Sequence, residues 1–192
     1  MSGRLLLVRH TAVARAFKGR CYGQSDMGLS REGAAHAREL AAELAAWEPE
    51  IVLHSGLRRA RFLAEATARL AGLEARTDKG WMERNFGSWE GRSWAAIYRE
   101  TGSAMDGMID DPHGFRPGGG ETTMELARRA LAALARLPSQ RILVVTHGGP
   151  IAAILGTRDD VPIREWPGLV PAPGASIELS PVALARDRRA LG

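Results

Sequence analysis

Leu5-Leu6-Leu7-Val8-Arg9-His10-Thr11 is an aliphatic run that stops abruptly on an arginine and a histidine. Four aliphatic residues in succession read as a strand buried on both faces, the kind found in parallel sheets covered by helices. His10 then stands at the end of that strand, and in open α/β sheets ligands bind in the crevice at the carboxyl ends of the strands. A lone histidine there reads more simply as a hydrogen-bonded structural residue. The pattern recurs at Ile142-Leu143-Val144-Val145-Thr146-His147-Gly148-Gly149, again an aliphatic run ending on histidine. Two such strands deliver two imidazoles to one edge.

Outward from these strands, the elements alternate. Residues 12–29 read as a polar, glycine-containing loop holding Gly19-Arg20-Cys21-Tyr22-Gly23-Gln24-Ser25-Asp26, a setting in which backbone N–H groups can face an anion. Ser30 predicts the N-cap of a helix over 31–47, with Glu32 in its positive first turn, Ala37, Leu40, Leu44 and Trp47 along one face, and Pro49 at its end. His36 lies on the solvent side of this helix. Ile51-Val52-Leu53-His54 reads as a second short strand, and Ser55 as the cap of the helix after it. That helix gathers Arg58, Arg59 and Arg61 at its start, where cations oppose the macrodipole; a bound anion would account for one of them, and a solvated face for the others.

Residues 74–92 are less regular and hold Trp81-Met82-Glu83-Arg84-Asn85-Phe86-Gly87-Ser88-Trp89-Glu90-Gly91. A carboxyl desolvated by aromatic rings keeps its proton more readily, as a general acid must, and either glutamate fits that role or a surface one. A helix near 93–101 and an irregular acidic stretch through Asp110-Asp111-Pro112 follow. The Pro117-Gly118-Gly119-Gly120-Glu121 turn leads into Thr122-Thr123-Met124-Glu125, a capping box, and Leu126, Ala130, Ala133, Leu134 and Leu137 then keep helical spacing up to Pro138. Past His147, the two glycines admit close approach of a ligand before a helix around 151–156. An edge strand at 175–180 and the basic run Arg186-Asp187-Arg188-Arg189 complete the chain, read as one domain over residues 1–192.

Composition narrows the class. With 192 residues, 45% of them hydrophobic, the chain can bury a substantial core. No apolar stretch approaches a membrane span and the N-terminus lacks the layout of a signal peptide, so a soluble cytoplasmic protein is expected, with no membrane partner. Cys21 is the only cysteine, which excludes an intrachain disulfide and a cysteine-cluster metal site. The net charge is +4, and of 26 basic residues only Lys18 and Lys79 are lysines. Arginine is the better planar partner for phosphate and carboxylate, which suits a small anionic substrate. No basic stripe with interleaved aromatics appears, so nucleic acid is not an expected partner.

Arg9-His10-Thr11, Ser55-x-Leu57-x-Arg59-Ala60, Glu83-x-x-Phe86-Gly87-x-Trp89-Glu90-Gly91, Pro117 to Glu121, and His147-Gly148-Gly149 together resemble the histidine phosphatase superfamily, the phosphoglycerate-mutase-like proteins. Order and spacing match across roughly residues 4–156. The resemblance implies an α/β fold, a three-layer α/β/α sandwich around a largely parallel sheet, with no metal and no organic cofactor. It implies His10 as the nucleophile that becomes phosphorylated, Glu83 as the proton donor, and Arg9, Arg59 and His147 as the phosphate pocket. Tyr22, Gly23 and Gly148 are the expected substrate-binding helpers.

The implied activity is that of a phosphomonoesterase acting on a small phosphate ester through a phosphohistidine. Cys21-Tyr22-Gly23-Gln24-Ser25-Asp26 looks like the loop of α-ribazole phosphatases, enzymes of cobalamin assembly, and points to α-ribazole 5′-phosphate. A phosphoglycerate-mutase-type phosphotransferase, a protein phosphohistidine phosphatase and a binding relative that keeps the pocket but not turnover are the alternatives. A fourth is a zinc hydrolase using His10, His54 and His147, all of which end strands. Thr11, His54, the extra glycine at 118–120 and Ala152 depart from the usual pattern and leave substrate identity open. The stretches 102–121 and beyond 157 are short and rich in Gly and Pro, which favours entry of water over a deep lid. Oligomeric state is open, a dimer being compatible.

Overall fold

The computed structural model describes residues 3–179, so the basic run at 186–189 and the last residue of the expected edge strand lie outside the described part. In chain order the elements are β1 (Arg4–Arg9), α1 (Arg31–Ala46), β2 (Ile51–His54), α2 (Arg58–Leu70), β3 (Ala75–Thr77), α3 (Trp94–Thr101), a short α4 (Gly107–Asp110), α5 (Thr123–Ala135), β4 (Arg141–Thr146), α6 (Gly148–Arg158) and β5 (Ser176–Leu179). The strands form one sheet in the order β3-β2-β4-β1-β5. All neighbours run parallel except β5, which pairs antiparallel with β1.

The two histidine-terminated strands are direct neighbours. Leu5 pairs with Ile142, Leu7 with Val144 and Arg9 with Thr146, so His10 and His147 emerge side by side from the same sheet edge. Successive strand residues face opposite sides. Leu5, Leu7, Ile142 and Val144 pack with Leu131 and Leu134 of α5, Ile151 and Ile154 of α6, and Trp81. Leu6, Val8, Leu143 and Val145 pack with Ala37, Ala41 and Leu44 of α1 and Ala60, Leu63 and Ala64 of α2. This two-sided burial produces the α/β/α sandwich, and each fully buried Leu, Ile or Val contributes roughly 1.5–3 kcal/mol.

Local signals place the helices. The Ser30 hydroxyl accepts the Gly33 N–H and opens α1, as expected. Thr122 and Glu125 form a reciprocal capping box at the start of α5. Four readings change. Ser55 does not cap α2, which starts two residues later behind Leu57; the Asp26 carboxylate, far away in sequence, accepts the Arg58 N–H instead. Residues 75–77 form an edge strand because they can pair with β2, a partner that a three-residue polar segment does not announce. The acidic stretch after α3 is a 3₁₀ turn over Gly102–Asp106 running into α4, and α6 begins at Gly148, directly behind His147.

Candidate active site

His10 follows β1 and is buried, its backbone N–H tied to the Thr146 carbonyl at 3.0 Å. Its Nδ1 lies 2.7 Å from the carbonyl oxygen of Thr11. A carbonyl only accepts, so Nδ1 carries the proton and Nε2 presents a free lone pair. Burial, and then the Arg59 charge, push the His10 pKa down to about 3, which keeps the ring neutral at physiological pH. The His147 ring packs against it with centroids 5.1 Å apart. His147 is fully buried, and burial with Arg59 holds its pKa well below the usual histidine range.

Ser55 explains the orientation of His147. Its hydroxyl oxygen accepts the Leu57 N–H at 3.3 Å, leaving its own proton for His147 Nε2 at 2.8 Å. That assigns the His147 proton to Nδ1, a buried atom with no partner among the described residues. The same holds for Arg9 Nε and Arg59 Nε. A buried donor without a partner costs about 1–3 kcal/mol, more when charged. These three donors, from β1, α2 and the end of β4, match a ligand rich in acceptor oxygens.

The two arginines are held by other atoms. Arg9 Nη1 donates to the Pro171 carbonyl at 2.6 Å. Arg59 is fully buried, donating from Nη1 to the Ser25 carbonyl at 2.9 Å and from Nη2 to the Gly23 carbonyl at 2.5 Å, with its Cζ 5.2 Å from the centre of the Tyr22 ring. Gly23, at φ +33°, has no room for a side chain between Glu90, Phe86 and the Arg84 carbonyl. Of the three arginines at the start of α2, Arg59 is the buried one; Arg58 and Arg61 are exposed.

The two glutamates separate by what they touch. The Glu83 carboxylate accepts the Arg84 N–H at 2.9 Å and the Gly149 N–H at 3.3 Å, which brings it to the start of α6 beside His147. Glu90 is a fastener: its carboxylate accepts the Gln24 N–H at 2.9 Å, the Phe86 N–H at 3.1 Å and the Ser25 hydroxyl at 2.6 Å. It thereby ties the loop of Gly23 to the loop of Glu83. Arg129 of α5 was not anticipated at all. It donates to the carbonyls of Gly80 (3.0 Å), Met82 (2.8 Å) and Glu83 (3.3 Å) and pairs with Glu121 at 2.8 Å. Burial raises the Cys21 thiol pKa to about 12, so it is no nucleophile.

Arg9, Tyr22, Gly23, Glu83 and Gly148 line one cavity of about 440 Å³, and His10 lines a second of about 560 Å³ that shares Arg20, Tyr22 and Trp94 with the first. Met105, Met108 and Ile109 come from the stretch after α3, and Ile163, Trp166, Pro167 and Val170 from the chain after α6, so the two segments read as too small for a deep lid supply part of its walls. His54 stands apart: Nδ1 accepts the Gly56 N–H at 3.0 Å and Nε2 faces the Thr77 hydroxyl at 3.4 Å. Its nitrogens are thus engaged away from the other two imidazoles, and no group of three His, Cys, Asp or Glu suited to a metal occurs among the described residues.

The family model described as histidine phosphatase superfamily, branch 1, matches residues 5–183. A glucosyl-3-phosphoglycerate phosphatase of Mycobacterium tuberculosis is 30% identical over 178 residues, covering 86% of this chain and 79% of the relative. A protein of Erwinia tasmaniensis named as a probable phosphoglycerate mutase is 30% identical over 158 residues, covering 80% of this chain and 74% of its own. The native structure of a mycobacterial glucosyl-3-phosphoglycerate phosphatase has a TM-score of 0.82 at 28% identity, covering 93% of this chain and 90% of that one. Its complex with inorganic phosphate has a TM-score of 0.79 at 29% identity, with the same coverage.

Proposed function

Because this chain belongs to the histidine phosphatase superfamily, and is a phosphoric monoester hydrolase, we propose that His10 is its nucleophile, Glu83 its acid and base, and Arg9, Arg59 and His147 its phosphate clamp. The observation that carries the assignment is the set of three buried, unpartnered donors near an imidazole whose Nδ1 contact leaves the lone pair on Nε2. Nε2 attacks phosphorus, and the bond from phosphorus to the ester oxygen breaks with its electron pair leaving on oxygen. The Glu83 proton passes to that oxygen, releasing an alcohol. Glu83, now a carboxylate, takes a proton from water; the hydroxide attacks the phosphohistidine, the P–N bond breaks, and the electron pair returns to Nε2. Two guanidiniums and the His147 N–H stabilise the charge on the equatorial oxygens throughout.

Among esters, α-ribazole 5′-phosphate is the candidate that the loop 21–26 supports, while the names of the relatives above bring in phosphorylated glycerate derivatives. The mutase-named relative favours a second reading, phosphoryl transfer to an organic acceptor. A panel of phosphate esters including α-ribazole 5′-phosphate, glucosyl-3-phosphoglycerate and 3-phosphoglycerate with its bisphosphate primer decides between them. Release of inorganic phosphate is expected; efficient formation of 2-phosphoglycerate with little phosphate would promote the mutase.

The nucleophile is tested separately. His10→Ala is expected to lower turnover by several orders of magnitude, and rapid-quench mass spectrometry of the native enzyme to place an acid-labile phosphate on His10. Near-normal activity of the variant, or phosphate on serine, would end the assignment.

A further inference from the structure

The cavity beside Glu83 is unlike the clamp beside His10 in its chemistry. Glu83, Gly148 and Gly149 line it at one end, which is the side from which the ester oxygen takes its proton, so the alcohol half of the substrate occupies it. Beyond that end the walls are rings and thioethers. Phe86 and Trp94 meet edge to face at 5.6 Å with Met105 packed in the same cluster, and Met108 and Trp166 line the same cavity.

Several of the polar groups in these walls are already engaged. Trp166 Nε1 donates to the Val161 carbonyl at 2.9 Å. The Thr123 hydroxyl donates to the Met108 carbonyl at 2.6 Å and accepts from Arg84 Nη1 at 3.0 Å. The Arg84 guanidinium lies 5.8 Å from the centre of the Phe86 ring and adds a flat face to it. Arg20 donates to the carbonyls of Ala16 and Gly91 at 3.0 and 2.8 Å. A polyhydroxylated alcohol would lose its water here, and the engaged groups would not replace it. A ring would find faces to stack on and would withdraw apolar surface from water.

We infer that the substrate's leaving alcohol carries an aromatic ring system, seated against Phe86, Trp94 and Met108, and that this chain is selective against sugar and polyol phosphates. The inference rests on the hydrolase reading above, and 440 Å³ is room for a bicyclic ring with a short aliphatic arm.

Two measurements test it. The first is the ratio of kcat/KM for 2-(1-naphthyl)ethyl phosphate to that for glycerol 1-phosphate; both are esters of aliphatic alcohols, so leaving-group chemistry is matched. The expected ratio is on the order of a hundredfold, from the apolar surface buried. Trp94→Ala and, from a separate segment, Met108→Gln should each cut that ratio roughly tenfold. The second is calorimetric binding of non-hydrolysable phosphonates, 3-(1-naphthyl)propylphosphonate against 3,4-dihydroxybutylphosphonate, with the same order of preference expected. Ratios near or below one in both measurements, or variants that leave the ratio unmoved, overturn the inference while leaving phosphohistidine chemistry intact. Aromatic preference in phosphonate binding with no ester turned over supports the cavity inference and overturns the hydrolase mechanism.

Discussion

Gly149 is a glycine because Glu83 occupies the space a side chain would need: a Cβ there would overlap Glu83 Oε1 and come within 3.2 Å of Leu126. The same residue donates its N–H to the Glu83 carboxylate. Gly149→Ala therefore pushes the acid away from the leaving oxygen without touching the nucleophile or the clamp. Turnover of an alkyl phosphate is expected to fall on the order of 10²-fold, the scale of a lost proton-transfer contribution, and that of p-nitrophenyl phosphate far less, since its phenolate leaves unaided. Equal losses for the two esters would mean that Glu83 binds or positions rather than donating a proton. Ser55→Ala is the corresponding probe of His147. It leaves a buried ring nitrogen without its partner, and a loss of about 1–3 kcal/mol in denaturant unfolding is expected, together with weaker binding of inorganic phosphate.

At the level of elements, α5 works as a clamp on the acid-bearing loop. Arg129 reaches three carbonyls between Gly80 and Glu83, and its partner Glu121 also accepts the Asn85 N–H at 3.3 Å, so helix, turn and loop move together. Arg129→Met keeps the aliphatic stem and removes the clamp. The expected result is a kcat loss concentrated on alkyl phosphates, with phosphate binding retained; a uniform loss for alkyl and p-nitrophenyl esters would assign Arg129 a structural role only. Nothing local in the sequence announces this. Its partners lie 46–49 positions away, and a helix pattern shows that a residue is half-buried, not what it meets.

The strands ending at His10 and His147, the caps at Ser30 and Thr122, and the helix after Ser93 were legible because their causes are local: aliphatic runs, hydroxyls and spacing. The place of Glu83 was legible only through a motif shared with a family. Gly87, Gly118 and Gly120 show why: each has another segment's backbone where a Cβ would stand, a tertiary demand that composition cannot express. Ser55 misled for a related reason. A serine before a helix is most simply a cap, yet here its hydroxyl faces a histidine 92 residues away.

The whole molecule carries the cost of lowering the pKa of three imidazoles in its interior. Burial lowers the pKa of His54 as well as those of His10 and His147, His10 from 6.5 to about 3. Below pH 6.5 the unfolded chain takes up protons that the folded chain refuses, so stability falls as pH drops, by about 1.4 kcal/mol per pH unit for each histidine fully neutral in the fold. Carboxylates paired on the surface, such as Glu100 and Glu125, have pKa values lowered from 4.5 and add their own loss only below that value. Between pH 6.5 and 5 the histidines therefore dominate, and their loss in that window is a sizeable share of the 5–15 kcal/mol a domain has. Thermal melts in phosphate-free buffer should show Tm falling steeply from pH 6.5 to 5. His54→Ser removes one imidazole that touches neither His10 nor His147, so it should flatten that slope while leaving kcat at pH 7 near its original value. Because His10 itself resists protonation down to about pH 3, activity lost between pH 6.5 and 5 should track the unfolded fraction measured by circular dichroism. Inactivation of a fully folded enzyme at pH 5.5 would show instead that His10 titrates in the ordinary histidine range, and that its burial does not hold it neutral.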